Sequence, residues 1–268
     1  MSDSEKDVNM SQLDAYSPDR IAQLVDEIGI KKANQSFANL FVLGFLAGIF
    51  IAFGAMLYTL VITDSNLGYG LTRLFGGIAF SLGLVLVVVA GAELFTGNNL
   101  IVMAWANKDI SSRRLFINWT IVYIANFVGA LASAYAMHWS GLLEQNNGMI
   151  RTMALSITEI KVNTNSWQLF IRGILCNALV CLAIWLCIAA HDVASKVIAI
   201  VFPISAFVAL GFEHSIANMY FIPLGMIVDS GNFSISDLLH NILPVTVGNI
   251  IGGSVFVALI YWIVYLRK

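Results

Sequence analysis

Four side chains able to exchange a proton or offer a hydrogen bond sit inside stretches otherwise suited to lipid. Glu93 and Thr96 fall in AGAELFTGN (90–98), and Glu213 and His214 fall in ALGFEHSIANM (209–219). An imidazole titrates near neutrality, which suits proton exchange with an incoming anion. It is costly in lipid without partners, so its plainer use is a neutral ring bonded to freed backbone. Thr96 supplies a hydroxyl donor, or else back-bonds to a helix carbonyl. Two carboxylates would repel an anion unless protonated. Glu93 and Glu213 therefore read as braces, each accepting hydrogen bonds from backbone N–H groups exposed at a helix break.

Other chemistries find no support. Cys176, Cys181 and Cys187 lie in one apolar segment, where they pack and form neither a disulfide framework nor a metal site. H-E-x-x-H is absent, and no Ser/His or paired-Asp arrangement stands out, so an intramembrane enzyme is disfavoured and no cofactor is called for.

The elements that must hold these residues follow from composition. The 268 residues are 59% apolar and 11% charged, with net charge −2 and mean hydropathy +0.82. Soluble domains carry roughly 25% charged residues. This excludes a cytosolic globular enzyme, a disordered chain and a nucleic-acid binder. The polar first 35 residues predict no secretory signal peptide. Continuous apolar runs at 38–62, 73–106, 114–139, 167–190, 197–228 and 241–266 predict six transmembrane helices and exclude a barrel. The expected division is a cytoplasmic segment, 1–36, and a channel domain, 37–268.

Basic residues set the orientation. With the N-terminus inside, the inner segments hold ten of the 14: Lys6, Arg20, Lys31, Lys32, Lys108, Arg113, Arg114, Lys196, Arg267 and Lys268. The outer side keeps Arg73, Arg151, Lys161 and Arg172, and the loop 229–240 has none. Ahead of the first span, Ser17-Pro18-Asp19 marks a helix start. Ile21, Leu24, Val25 and Ile28 then recur at helical spacing, predicting an amphipathic helix on the inner membrane surface.

The second segment is 34 residues long. A straight helix of that length would reach about 50 Å, against a hydrocarbon core of about 30 Å. It must break, and G-x-E-x-x-x-x-N supplies the place through Gly91, Glu93 and Asn98, with Gly97 beside them. The fifth segment carries the same pattern 120 residues later, as Gly211, Glu213 and Asn218. Phe41-x-x-Gly44-x-Leu46 matches Phe170-x-x-Gly173-x-Leu175, and Asn126-x-x-Gly129 matches Asn249-x-x-Gly252. Three ordered matches imply duplication of a three-span unit. An odd span count makes the halves upside down relative to each other, and paired breaks in inverted repeats locate a substrate path. The first break falls toward the cytoplasm and the second toward the exterior.

At AGAELFTGN, GILCNALVCLAIW (173–185), ALGFEHSIANM and ILPVTVGNIIGG (242–253), the sequence resembles the formate/nitrite transporter family. The likeness covers about residues 30–268, and the tail is most similar to the formate-channel branch. It implies an all-α, aquaporin-like protomer without Asn-Pro-Ala motifs, assembled as a homopentamer in a bacterial cytoplasmic membrane, with both termini inside. The implied substrate is a small monovalent weak-acid anion, most readily formate. Nitrite, hydrosulfide and proton-coupled symport of a larger carboxylate such as lactate are the alternatives.

By the same resemblance, Thr96 faces His214 across the anion, and Lys161, at the outer end of the fourth segment, draws anions in. From its place in an apolar span, Asn177 lines the chamber or bonds across helices, and Arg172 either raises the anion concentration at the outer mouth or, the favoured reading, snorkels at the interface. Leu84, Leu94 and Phe95 form the inner hydrophobic constriction, with Phe80 and Phe207 as the outer one. Apolar rings of this kind impede a hydrated ion. His138, His191 and His240 sit at span ends, as interfacial residues.

Overall fold

The computed structural model describes residues 15–267 and is all-helical over them. Lys6 and Lys268, two of the inner-side charges, lie outside the described residues. Ten elements follow one another: α1 Pro18–Ala33, α2 Phe37–Ile62, α3 Gly68–Gly91, α4 97–106, α5 Ser112–Trp139, α6 Met149–Asn163, α7 Ser166–Ala189, α8 Val193–Leu210, α9 Ser215–Val228 and α10 Ile235–Tyr265. Six of them, α2, α3, α5, α7, α8 and α10, are long and apolar enough to cross a membrane. Their outward faces carry large apolar side chains such as Phe37, Phe202 and Leu243, each at least 60% exposed, as lipid contact requires.

Both expected breaks are present. The last turn of α3, Leu86–Gly91, widens to π geometry, and Gly91 then takes φ 86°. At the end of α8, Gly211 takes φ 75°. Residues with a Cβ rarely adopt that left-handed region. The chain runs non-helically through 92–94 and 212–214 before α4 and α9 begin.

The duplication is larger than the three-span unit read from sequence. Helices α1–α5 correspond in order to α6–α10. The element that sequence reading missed is α6, which lies in the supposed outer loop. It buries Ile150, Ala154, Ile157 and Thr158, one face at i, i+4, i+7 and i+8. Helix α1 starts at Pro18 as expected, but it is no free-lying surface helix. It packs on α4 and α7, burying Ile21, Ala22, Val25, Gly29 and Ala33, while Ile28 stays exposed. The small residues win because they permit close approach, and a Cβ on Gly29 would stand 3.2 Å from that of Ala104. Helix α10 begins six residues before the expected 241, because Ser234 and Asp237 form a capping box at its start.

In each half the first long span packs along the last, α2 on α5 and α7 on α10. Glycine makes both contacts possible: a Cβ at Gly129 would lie 2.1 Å from the Phe45 carbonyl oxygen, and one at Gly252 would lie 2.1 Å from that of Ile174.

Candidate functional site

The backbone at each break needs substitute partners, because its N–H and C=O groups have left the helical ladder. Asparagines from α5 and α10 supply them. Asn126 accepts from the Phe95 N–H at 2.9 Å and donates to the carbonyls of Gly44 and Glu93. Asn249 does the same for the Ser215 N–H at 2.9 Å and the carbonyls of Gly173 and Glu213. Both are fully buried. They, and not the glutamates, hold the broken backbone.

The glutamates have another use, which corrects the expectation that they accept from backbone N–H groups. Glu93 takes Lys32 Nζ at 2.7 Å, Gln35 Nε2 at 3.0 Å and Asn98 Nδ2 at 2.8 Å. Glu213 takes Lys161 Nζ at 2.9 and 3.1 Å and Asn218 Nδ2 at 2.6 Å. Each asparagine bonds one further asparagine, Asn98 to Asn118 and Asn218 to Asn241. Those in turn donate to the main-chain carbonyls of Lys32 and Lys161. The two sets are copies, built from α1, α4 and α5 in one half and from α6, α9 and α10 in the other. Lys161 sits on α6, not on the fourth span, and reaches the break from there. Lys32 is its counterpart, and the 129-residue spacing that relates Gly44 to Gly173 also relates these lysines.

Two cavities flank the breaks. One, of about 650 Å³, is lined by Lys32, Gly91, Glu93, Leu94, Gly97 and Asn98 among others. The second, of about 320 Å³, is lined by Lys161, Phe80, Phe207, Gly211, Glu213 and His214 among others. The Lys161 vestibule also holds Arg73 and Arg172, so its cationic groups outnumber its single carboxylate. Lys196 adds to Lys32 against Glu93 in the other vestibule.

Between them lies one contact. His214 Nε2 is 2.9 Å from Thr96 Oγ1, and both residues are buried. The tautomer follows from the opposite ring edge, where Nδ1 accepts the Ala217 N–H at 3.2 Å. An N–H can only donate, so Nδ1 is bare and the proton of the neutral ring is on Nε2, directed at Thr96. His214 is thereby both the N-cap of α9 and a donor to the hydroxyl of the other break. The pair breaks the internal symmetry: at the 120-residue offset Leu94 stands for His214 and Ile216 for Thr96.

The remaining sequence candidates divide. Phe80 and Phe207 meet edge to face at 5.7 Å in the Lys161 vestibule, and Phe207 stacks on the His214 ring at 6.0 Å. Leu94 lines the Lys32 vestibule. Leu84 and Phe95 line neither; both are buried, and Phe95 packs on Trp119 and Tyr123. Asn177 is fully buried and outside both linings. It donates to Thr96 O, Asn99 Oδ1 and Asn249 O, tying the first break to α10. Of the outlying histidines, His191 packs against Tyr16 with centroids 4.5 Å apart, and His240 bonds the Thr164 carbonyl oxygen at 3.0 Å.

The sequence profile described as "Formate/nitrite transporter" matches residues 19–263. "Uncharacterized transporter YrhG" of Bacillus subtilis is 45% identical over 254 residues, 94% of each chain. "Formate channel FocA" of Escherichia coli K12 is 38% identical over 274 residues, 95% of this chain and 96% of that one. A solved structure described as "Pentameric formate channel with formate bound" superimposes with TM-score 0.80 at 36% identity, covering 86% of this chain and 98% of the other.

Proposed function

Since the chain belongs to the formate/nitrite transporter family, we propose that it is a membrane channel passing small weak-acid anions, formate foremost, between the two vestibules. The observation that carries this reading is the 2.9 Å contact of Thr96 with His214, placed between two cavities whose linings include Lys32 and Lys161. The named function of relatives such as FocA supports formate as substrate and conduction in place of catalysis. The pentamer named for the 36% identical structure supports five copies per assembly. The distribution of Lys and Arg supports placement of both termini on the cytoplasmic side of a bacterial inner membrane.

A formate ion is drawn in by the cationic excess of the Lys161 vestibule. The Lys161 ammonium has two of its protons on Glu213, which leaves the third for the solute. Past Phe80 and Phe207 water is shed, and the Nε2–H of His214 with the Thr96 hydroxyl replaces it. A bare charge there carries a solvation cost of many kcal/mol. A hydronium ion entering from the Lys161 vestibule gives its proton to the carboxylate held by Nε2–H and Thr96. The resulting neutral acid crosses Leu94 and returns the proton to water on the far side, while the imidazole stays neutral throughout. Leu84 and Phe95 shape this apolar lane from behind, and Asn177 fixes Thr96 by its main chain.

The test is uptake by liposomes holding the purified protein, against protein-free vesicles. Saturable formate uptake, with nitrite and hydrosulfide as slower competitors, is the expected result. Uptake of nitrite, hydrosulfide or lactate without formate would remove the substrate assignment.

A further inference from the structure

Arg73 enters the mechanism above only through the positive charge of the Lys161 vestibule, yet its side chain is held by three hydrogen bonds there. Its Nη2 donates to the Val208 carbonyl at 2.8 Å and its Nε to the Ala209 carbonyl at 3.2 Å. Its Nη1 donates to the Tyr58 hydroxyl at 3.4 Å. Carbonyls 208 and 209 belong to the last turn of α8, immediately after Phe207; that of Val208 also accepts the Gly211 N–H at 3.1 Å, and terminal carbonyls of this kind have no i+4 partner in the helical ladder. The aromatic rings close the circuit. Tyr58 meets Phe80 edge to face at 6.4 Å, and Phe80 meets Phe207 at 5.7 Å. Arg73, Tyr58, Phe80, Phe207 and the α8 terminus thus form a closed ring of contacts around the apolar neck.

The two halves differ here. At the 120-residue offset Arg73 is replaced by Val193, which is 58% exposed. Both breaks carry the same terminal backbone bond, Ala92 N–H to the Val87 carbonyl at 2.9 Å and Phe212 N–H to the Phe207 carbonyl at 3.0 Å, so the arginine is an addition to the second break alone. A guanidinium fork held by two carbonyls and a phenol is thus specific to the neck that carries the paired phenylalanines. Its planar donors reach three acceptors at fixed angles, which a point charge would not do.

We propose that Arg73 is a positioning residue for solute size: it pins the end of α8 to α2 and α3, and so sets the separation of Phe80 and Phe207. The proposal rests on the anion-channel reading, and the experiment separates the two. Liposomes with wild type, Arg73→Leu, Arg73→Lys and Tyr58→Phe are assayed for uptake of formate and of the bulkier acetate and lactate, each at low and high ionic strength. A wild type that moves none of the three anions ends the anion reading itself.

With formate moving, Arg73→Leu is expected to raise the acetate-to-formate ratio about tenfold, the scale on which removing charge-assisted hydrogen bonds loosens a packed neck. The rise should be equal at both ionic strengths, and Arg73→Lys should recover part of the wild-type ratio. Tyr58→Phe, which deletes only the longest of the three hydrogen bonds, is expected to give a rise of about twofold and carries the test if Arg73→Leu fails to assemble. An unchanged ratio in every variant that assembles overturns the proposal. So does an equal loss of all anions that disappears in high salt, since that is the signature of simple charge attraction.

Discussion

The ring of His214 carries two duties on opposite edges, and substitutions can separate them. Nδ1 caps α9 by accepting the Ala217 N–H at 3.2 Å, while Nε2–H serves Thr96 at 2.9 Å. Asparagine is among the best N-caps, so His214→Asn keeps the first duty and loses the second, whereas His214→Leu loses both. An N-cap is worth about 1 kcal/mol. Removing the donor from the buried Thr96 hydroxyl costs about 1–2 kcal/mol more. His214→Leu should therefore be destabilised by about 2–3 kcal/mol and His214→Asn by about half of that. For a chain of this size each kcal/mol corresponds to roughly 2–4 °C in Tm. In detergent the leucine variant should melt roughly 5–10 °C below wild type, with the asparagine variant between.

The activity prediction is orthogonal to the stability ranking. Acid supplies the hydronium that protonates the anion held by Nε2–H, so wild-type formate uptake should rise from pH 8 to pH 5. In both variants that rise should vanish. If His214→Asn retained the wild-type pH profile, protonation of the anion while Nε2–H holds it would be refuted. If it melted with His214→Leu, the capping argument would fail instead.

Three further outcomes follow from the same contacts. Lys161→Met or Glu213→Gln alone leaves a buried charge unpaired, at a cost of about 3–5 kcal/mol. The double variant should recover most of that in a thermal-melt cycle, and the Lys32–Glu93 pair should give smaller values because its lysine is more exposed, 27% against 13%. Asn126→Ala and Asn249→Ala should each destabilise by about 1–3 kcal/mol by orphaning the Phe95 and Ser215 N–H groups, and equal losses in denaturant unfolding would match their equivalent places. Asp26 on α1 has its pKa raised to about 6 by burial first and by the Asp109 charge second. A carboxyl raised in the folded state contributes fully below its unfolded pKa and loses that contribution as pH rises through 6. Asp26→Asn should thus match wild type at pH 4 and at pH 8 be more stable by about 1 kcal/mol, after discounting for its half-exposed position. Hydrogen exchange along α1 reports it.

Much of this architecture was legible along the chain, for identifiable reasons. The breaks showed because a 34-residue, mostly apolar segment overruns a bilayer and because glycine, glutamate and asparagine recurred at one spacing in both halves. The duplication was visible wherever identical residues fell at matching places, as at Asn126 and Asn249. Helix α6 escaped notice because its buried face mixes Thr158 and Ala154 with Ile150 and Ile157, a weak stripe inside a polar loop. The lysine–glutamate pairs escaped for a different reason. Lys32 and Glu93 are 61 residues apart, and only the docking of α1 onto α4 brings them together. Lys32 could still have been found, since it repeats the offset that ties Gly44 to Gly173. For Asn177, a polar residue in an apolar span left open whether it lines the chamber or bonds across helices, and its amide donates to three oxygens on neighbouring segments.

The exchange of Leu94 for His214 and of Thr96 for Ile216 between otherwise matching halves gives the passage a front and a back. A solute coming from the side of Lys161 meets phenyl rings and then the imidazole N–H. One travelling the opposite way meets leucine before the imidazole. Reversing the concentration gradient across a vesicle should therefore alter how acidity governs the rate, and not merely change its sign, as would hold for a conduit with true mirror-related ends.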